Sequence, residues 1–87
     1  MRRDRLKILL GILEICNSDG VNKTKIVYGA NINFTVAGMY LDMLINEGLV
    51  EVINPGPREK YLATEKGKEM LGSLKQVYDR MEQYSLE

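Results

Sequence analysis

Leu41-Asp42-Met43-Leu44-Ile45-Asn46-Glu47-Gly48-Leu49-Val50-Glu51 reads as a helix that stops and hands the chain to a strand. Leu41 and Leu44, three positions apart, share one helical face. Gly48 stands where helices end in a left-handed residue, a conformation that costs glycine no side-chain clash. Leu49 to Ile53 then alternate, with one interruption, as a strand does. Further on, Tyr61-Leu62-Ala63-Thr64-Glu65-Lys66-Gly67 closes a strand and opens a helix. Between the two lies Asn54-Pro55-Gly56-Pro57-Arg58-Glu59, whose proline and glycine specify a turn. The spacing predicts a β-hairpin of residues 49–53 and 60–63, with a helix on either side.

Working outward, residues 4–18 have the spacing of a first helix, with Asp4 as its cap. Leu6, Leu9, Leu10, Leu13 and Cys16 form its stripe, and Ile8, Ile12 and Ile15 widen it. Only Lys7, Gly11, Glu14 and Ser18 make a polar strip. A helix apolar over so much of its circumference is expected to be covered from two sides. Asn17-Ser18-Asp19-Gly20 is a turn by composition, and Val21 is a candidate for a very short strand. A second helix is predicted over 23–29, capped by Asn22, with Ile26, Val27 and Tyr28 as its apolar side and Gly29 to Ile32 as its break. A third opens near Asn33 and runs to Glu47. The last is predicted over 65–86 behind Thr64, with Met70, Leu71, Leu74, Val77, Tyr78, Met81 and Tyr84 within roughly 140° of arc.

The order is helix, helix, helix, hairpin, helix, in a chain of 87 residues with room for one domain. It is the order of a winged helix-turn-helix: mainly α with a small β-hairpin, here with an extended C-terminal helix. Residues 1–64 make the winged helix-turn-helix and 65–87 a C-terminal dimerisation helix of the same domain. In that architecture the third helix enters the major groove and the hairpin lies along the backbone or minor groove.

The whole chain also resembles small archaeal winged-helix proteins, the ArnR-like transcriptional regulators, which include small archaeal chromatin-associated proteins. The resemblance rests on Ile26-Val27-Tyr28-Gly29-Ala30-Asn31-Ile32-Asn33-Phe34, Tyr40-Leu41-Asp42, Asn46-Glu47-Gly48-Leu49 and Thr64-Glu65-Lys66-Gly67. It implies DNA binding and an antiparallel pairing of C-terminal helices between two copies. Composition and periodicity show neither.

Helix geometry names the residues that would touch DNA. With Ala37, Leu41 and Leu44 facing inward, the third helix offers Asn33, Thr35, Val36, Gly38, Met39, Asp42 and Met43 outward. Asn33 and Thr35 can hydrogen-bond to bases or phosphates, and Val36 and Met39 can touch thymine methyls. Tyr40 sits at the margin, placed either to pack on the wing or to donate its hydroxyl to a phosphate. Gly38 in mid-helix costs about 1 kcal/mol relative to alanine. Close approach of the backbone to a duplex is one reason for it; relaxed packing is the other.

Charge complicates this assignment. Lys plus Arg equals Asp plus Glu, at twelve each, so net charge does not point to nucleic acid. Residues 31–54 hold no base and three acids, Asp42, Glu47 and Glu51. The bidentate arginine–guanine contact is therefore out of reach of this helix, and Asp42 repels phosphate. Affinity must come from Lys23, Thr24 and Lys25 at the start of the second helix, where the backbone dipole also favours phosphate. Arg58 and Lys60 on the wing and an arm of Arg2, Arg3 and Arg5 are further candidates. Each of these is, taken singly, also readable as an ordinary solvated charge.

A last helix of about 22 residues would be roughly 33 Å long, more than a small body needs for cover. Met70, Leu71 and Leu74 are expected to pack on the first helix. Leu74, Val77, Tyr78, Met81 and Tyr84 are the expected dimer interface. A helix folded back along its own domain is the other reading.

Catalysis finds no foothold in the sequence. There is no histidine, and Cys16 falls on the apolar stripe of the first helix. No phosphate-cradling loop, metal-protease pattern or calcium loop is present. No enzyme, cofactor, metal or small-molecule ligand is expected. Arg2-Arg3 precede apolar residues, but Asp4, Arg5, Lys7 and Glu14 interrupt the run, so a signal peptide or membrane span is not expected. A single cysteine fits a reducing, cytoplasmic setting. The leading expectation is a homodimer that binds double-stranded DNA, sequence-specifically or architecturally, as a transcriptional regulator. The alternative is a protein-interaction module without DNA binding, favoured by the acidic, methionine-rich outer face of Met39, Asp42 and Met43.

Overall fold

Asn22, Asn33 and Thr64 each cap a helix, and between them they set the frame of the chain. In the computed structural model, which describes residues 5–84, the elements are α1 (Arg5–Cys16), α2 (Lys23–Ala30), α3 (Phe34–Asn46), β1 (Val50–Ile53), β2 (Lys60–Ala63) and α4 (Glu65–Gln83). The Asn22 side chain accepts from the Lys25 N–H and that of Asn33 from the Val36 N–H, both at 2.8 Å. The Thr64 hydroxyl accepts from the Gly67 N–H at 3.0 Å. Each bond satisfies one of the N–H groups that a helix start leaves without an internal partner. The expected cap Asp4 and the arm residues Arg2 and Arg3 lie outside the described residues. The last helix, expected to reach 86, ends at Gln83, where the Tyr84 N–H bonds back to the carbonyls of Met81 and Glu82.

Several boundaries shift from expectation: α3 stops at Asn46 and β1 starts at Val50, each one residue inside the expected span. α1 ends at Cys16 rather than 18, because the Asn17 N–H turns back to the Glu14 carbonyl and the Ser18 hydroxyl donates to that of Ile15. α2 runs through Gly29 and stops at Asn31. That residue takes the left-handed conformation, φ 56°, and its N–H bonds back to the carbonyls of Val27 and Tyr28. The helix-breaker is an asparagine at the position where glycine is commoner. Gly48, with φ 74°, plays the expected part after α3.

The core gathers one face of every element. Leu10, Ile12, Leu13 and Cys16 of α1 are buried, with Ile26, Val27 and Ala30 of α2, Ala37, Leu41 and Leu44 of α3, Val50, Tyr61 and Ala63 of the hairpin and Leu71 of α4. Ile8, Leu9 and Ile15 pack partly against this cluster. The broad apolar surface of α1 is thus used against α2, α4 and β2. Burial of this kind is worth about 25 cal/mol per Å² of apolar surface and drives the assembly. Tyr28 departs from expectation: it is 77% exposed. Ile26, Val27 and Ala30 fill the inward arc of α2, and Tyr28 lies on the opposite side of the wheel.

β1 and β2 pair antiparallel, with Val50 opposite Ala63 and Val52 opposite Tyr61. Val21 forms a single bridge to Tyr61, through the Val21 N–H to the Tyr61 carbonyl at 3.0 Å and the return bond at 2.7 Å. That bridge anchors the hairpin to the chain between α1 and α2. The hairpin is held at its other end by Thr64. Its N–H donates to the Leu49 carbonyl at 3.0 Å, and its hydroxyl donates to the Gly48 carbonyl at 2.6 Å. Lys66 adds a bond to the Glu47 carbonyl at 2.9 Å. The start of α4 and the end of α3 therefore cap each other.

α4 divides its apolar residues into two stripes. Gly67 and Leu71 are buried, and Leu74 and Tyr78 pack partly against the core. Met70, Val77, Met81 and Tyr84 are exposed. Lys75 pairs with Glu14 of α1 at 3.3 Å. Met70, expected against α1, faces it across an open apolar groove of about 350 Å³ that Leu6 and Leu9 of α1, Met43 and Leu74 also line, and stays partly exposed there. Tyr78, expected to need a partner, is largely covered by its own chain. No helix among the described residues is long and apolar enough to cross a membrane.

Candidate nucleic-acid interface

The candidate interface draws on α2, α3 and the hairpin. Ala37, Leu41 and Leu44 hold α3 to the core, and this orients Thr35, Met39, Asp42 and Met43 outward, all exposed. Met39 is 67% and Met43 41% exposed. Such flexible thioethers are suited to apolar contact with varied surfaces. Asn33 is exposed, but its side-chain oxygen is taken by the Val36 N–H, leaving the amide NH₂ as the part free to meet a duplex. Val36 is partly buried. Tyr40 packs partly against the core, so its ring belongs to the body of the domain.

Thr24 and Lys25 are exposed on the first turn of α2, and Lys23 beside them is partly buried. Lys23 reaches across to α3, where its ammonium lies against Gly38. The fold thus brings together two of the named residues from different helices. Arg58 and Lys60 are both exposed and stand at the hairpin tip and at the first position of β2. The tip bends through Asn54, φ 52°, and Gly56, φ 118°, and is closed by the Glu59 N–H to the Gly56 carbonyl at 3.1 Å. At the root of the wing the Tyr61 hydroxyl donates to the Glu59 carboxylate at 3.0 Å. Burial, and then that bond, push the phenol up to about 12. Tyr61 is therefore a strut of the wing rather than a titrating contact.

Two exposed aromatics escaped the sequence reading. Phe34, the first residue of α3, is half exposed, and Tyr28 is more so. For Tyr28 the signal was present in the helical wheel of α2. Phe34 precedes the packed run that begins at Ala37, and only the tertiary structure leaves it uncovered.

The buried Cys16 thiol is pushed up to about 11 by desolvation, which makes it a core group without nucleophilic character at neutral pH. No cluster of His, Cys, Asp or Glu among the described residues could hold a metal ion.

Comparison with known proteins agrees with this geometry. The winged helix-turn-helix family model matches residues 2–82. An uncharacterised protein of the archaeon Methanocaldococcus jannaschii, MJ0287, is 30% identical over 92% of this chain and 78% of its own. The crystal structure of Sso10a-2, a DNA-binding protein from Sulfolobus solfataricus, superposes with a TM-score of 0.83 at 33% identity, over 95% of this chain and 87% of that one. The homodimeric winged helix-turn-helix DNA-binding domain of Mb0332 from Mycobacterium bovis gives a TM-score of 0.69 at 26% identity, over 90% and 72%. With three helices, a hairpin and a long last helix in this order, the chain belongs to the winged helix-turn-helix family.

Proposed function

We propose that the chain binds double-stranded DNA as a homodimer and acts as a transcriptional regulator, with α3 in the major groove. Thr24 and Lys25 on α2 and Arg58 and Lys60 on the wing hold the phosphates. The observation that carries this reading is the likeness to the DNA-binding protein Sso10a-2 over nearly the full chain. The exposed outer face of α3, flanked on two elements by bases, agrees with it. α3 itself has no Lys or Arg. It reads shape and methyl groups through Thr35, Val36 and Met39, and the amide of Asn33 adds a polar contact. Affinity comes from phosphate contacts outside α3 and from two linked subunits, which raise each other's effective concentration at the duplex.

Duplex titration at low and at physiological salt tests this. Affinity should fall steeply with salt, because each neutralised phosphate adds about 0.9 to the logarithmic slope. Lys25→Glu with Arg58→Glu should weaken binding at least ~30-fold while leaving the melting temperature unchanged, since exposed charges contribute little to stability. A chain that fails to bind any duplex at low salt is not a DNA-binding protein. The exposed Met39 and Met43 would then favour docking to another protein.

A further inference from the structure

Gly38 is an anomaly within α3. It lies mid-helix, in the row Thr35, Gly38, Asp42 that borders the exposed face. Glycine there costs the helix about 1 kcal/mol relative to alanine, and no positive φ requires it. The space is used by another element. A Cβ at position 38 would stand 3.1 Å from the Lys23 Nζ and 3.9 Å from its Cε. Lys23 is correspondingly partly buried, whereas Lys25, two positions on and on another face of the helix, is exposed. Among the described residues no carboxylate lies within ion-pairing distance of the Lys23 ammonium. The ammonium keeps access to solvent while its stem is partly covered. A cation held in place without an ion pair is open to an anionic or acceptor partner.

We propose that Gly38 is a slot through which α2 lays the Lys23 ammonium onto the DNA-facing flank of α3. The bare backbone admits a cation that the sequence of α3 does not provide. That cation also stands one turn from Asp42, whose charge would otherwise face the duplex alone. Lys23 is then the contact to an acceptor of the duplex, and Gly38 is a positioning residue that acts through it. This rests on the DNA-binding reading above.

A double-mutant cycle on duplex affinity tests the inference, with Lys23→Met, Gly38→Ala and the pair. Lys23→Met keeps the stem and removes the charge, and should weaken binding roughly tenfold. Gly38→Ala should leave the melting temperature unchanged or raised, because the helix gains and only the end of a flexible side chain must move. Its binding should nevertheless fall by about threefold or more, and by less than twofold when Lys23→Met is already present. A phosphate partner lowers the salt slope by about one on Lys23→Met, and a base edge instead relaxes discrimination between sequences. Equal binding by Gly38→Ala and the unaltered chain overturns the slot alone. An equal loss in both backgrounds does the same, and assigns the glycine to close approach of α3 itself. Failure of the unaltered chain to bind duplex overturns the DNA-binding reading first.

Discussion

Gly67 and Gly72 sit in the same helix, and their surroundings give them opposite roles. A Cβ at Gly67 would collide with the Leu49 carbonyl, which is backbone tied down by Thr64. Nothing lies within contact of a Cβ at Gly72. Gly67→Ala is expected to destabilise the fold by roughly 1–3 kcal/mol through overpacking, and Gly72→Ala to stabilise it by up to about 1 kcal/mol through helix propensity. Urea midpoints at constant m-value check both. Cys16 shows a residue-scale effect of pH. Its folded-state thiol, at about 11, lies above the 9.0 of an unburied one. The folded state keeps the proton while the unfolded state loses it, so this stabilisation is complete below pH 9 and fades between about 9 and 11. A loss on the order of 2 kcal/mol over that range is expected, reduced in Cys16→Ala, by denaturant unfolding at each pH. The sequence placed Cys16 on an apolar stripe and marked Gly38 as out of place. Why Gly38 is a glycine depends on Lys23, fifteen positions away, and no local pattern holds that information.

At the scale of elements, the joint between α3, the hairpin and α4 is concentrated in Thr64. One hydroxyl caps the Gly67 N–H and donates to the Gly48 carbonyl. Thr64→Ala removes both, and should cost about 1–2 kcal/mol in urea unfolding, at the upper end of a helix cap. Thr64→Ser should recover most of it, since the hydroxyl is restored. The elements themselves were legible because each carries its own signal: periodic leucines, asparagine and threonine caps, and a proline–glycine turn. Ends were less legible. The stop of α2 at Asn31 rather than Gly29 follows from a backward pair of hydrogen bonds, including the Ile32 N–H to the Val27 carbonyl at 3.0 Å. Glycine propensity alone does not report that.

For the whole molecule, the question is what covers the second stripe of α4. Val77 and Tyr84 are 51% and 74% exposed, and Met70 and Met81 are close to 40%. A second copy pairing through this stripe agrees with the homodimeric state of the Mb0332 domain. Sedimentation equilibrium should report a dimer. Val77→Asp with Met81→Asp should weaken it by about 2 kcal/mol or more while leaving helical content intact, because both side chains are already exposed in the single chain. A wild-type chain that sediments as a monomer overturns the pairing.

By itself the sequence determined the order of the elements, the hairpin, the inward faces of α1 and α3 and the poverty of positive charge on α3. These are local properties: period, propensity and turn chemistry act over a few residues. Tertiary structure alone decided how α4 splits its apolar face, that Tyr28 and Phe34 stand uncovered, and that Lys23 lies over Gly38. Each depends on which distant element arrives at a surface. The stretch from Leu41 through Gly48 to Glu51 shows the boundary between the two. Its helix stop is readable from Gly48, but the cap that holds that stop comes from Thr64 and Lys66, after the hairpin has turned the chain back.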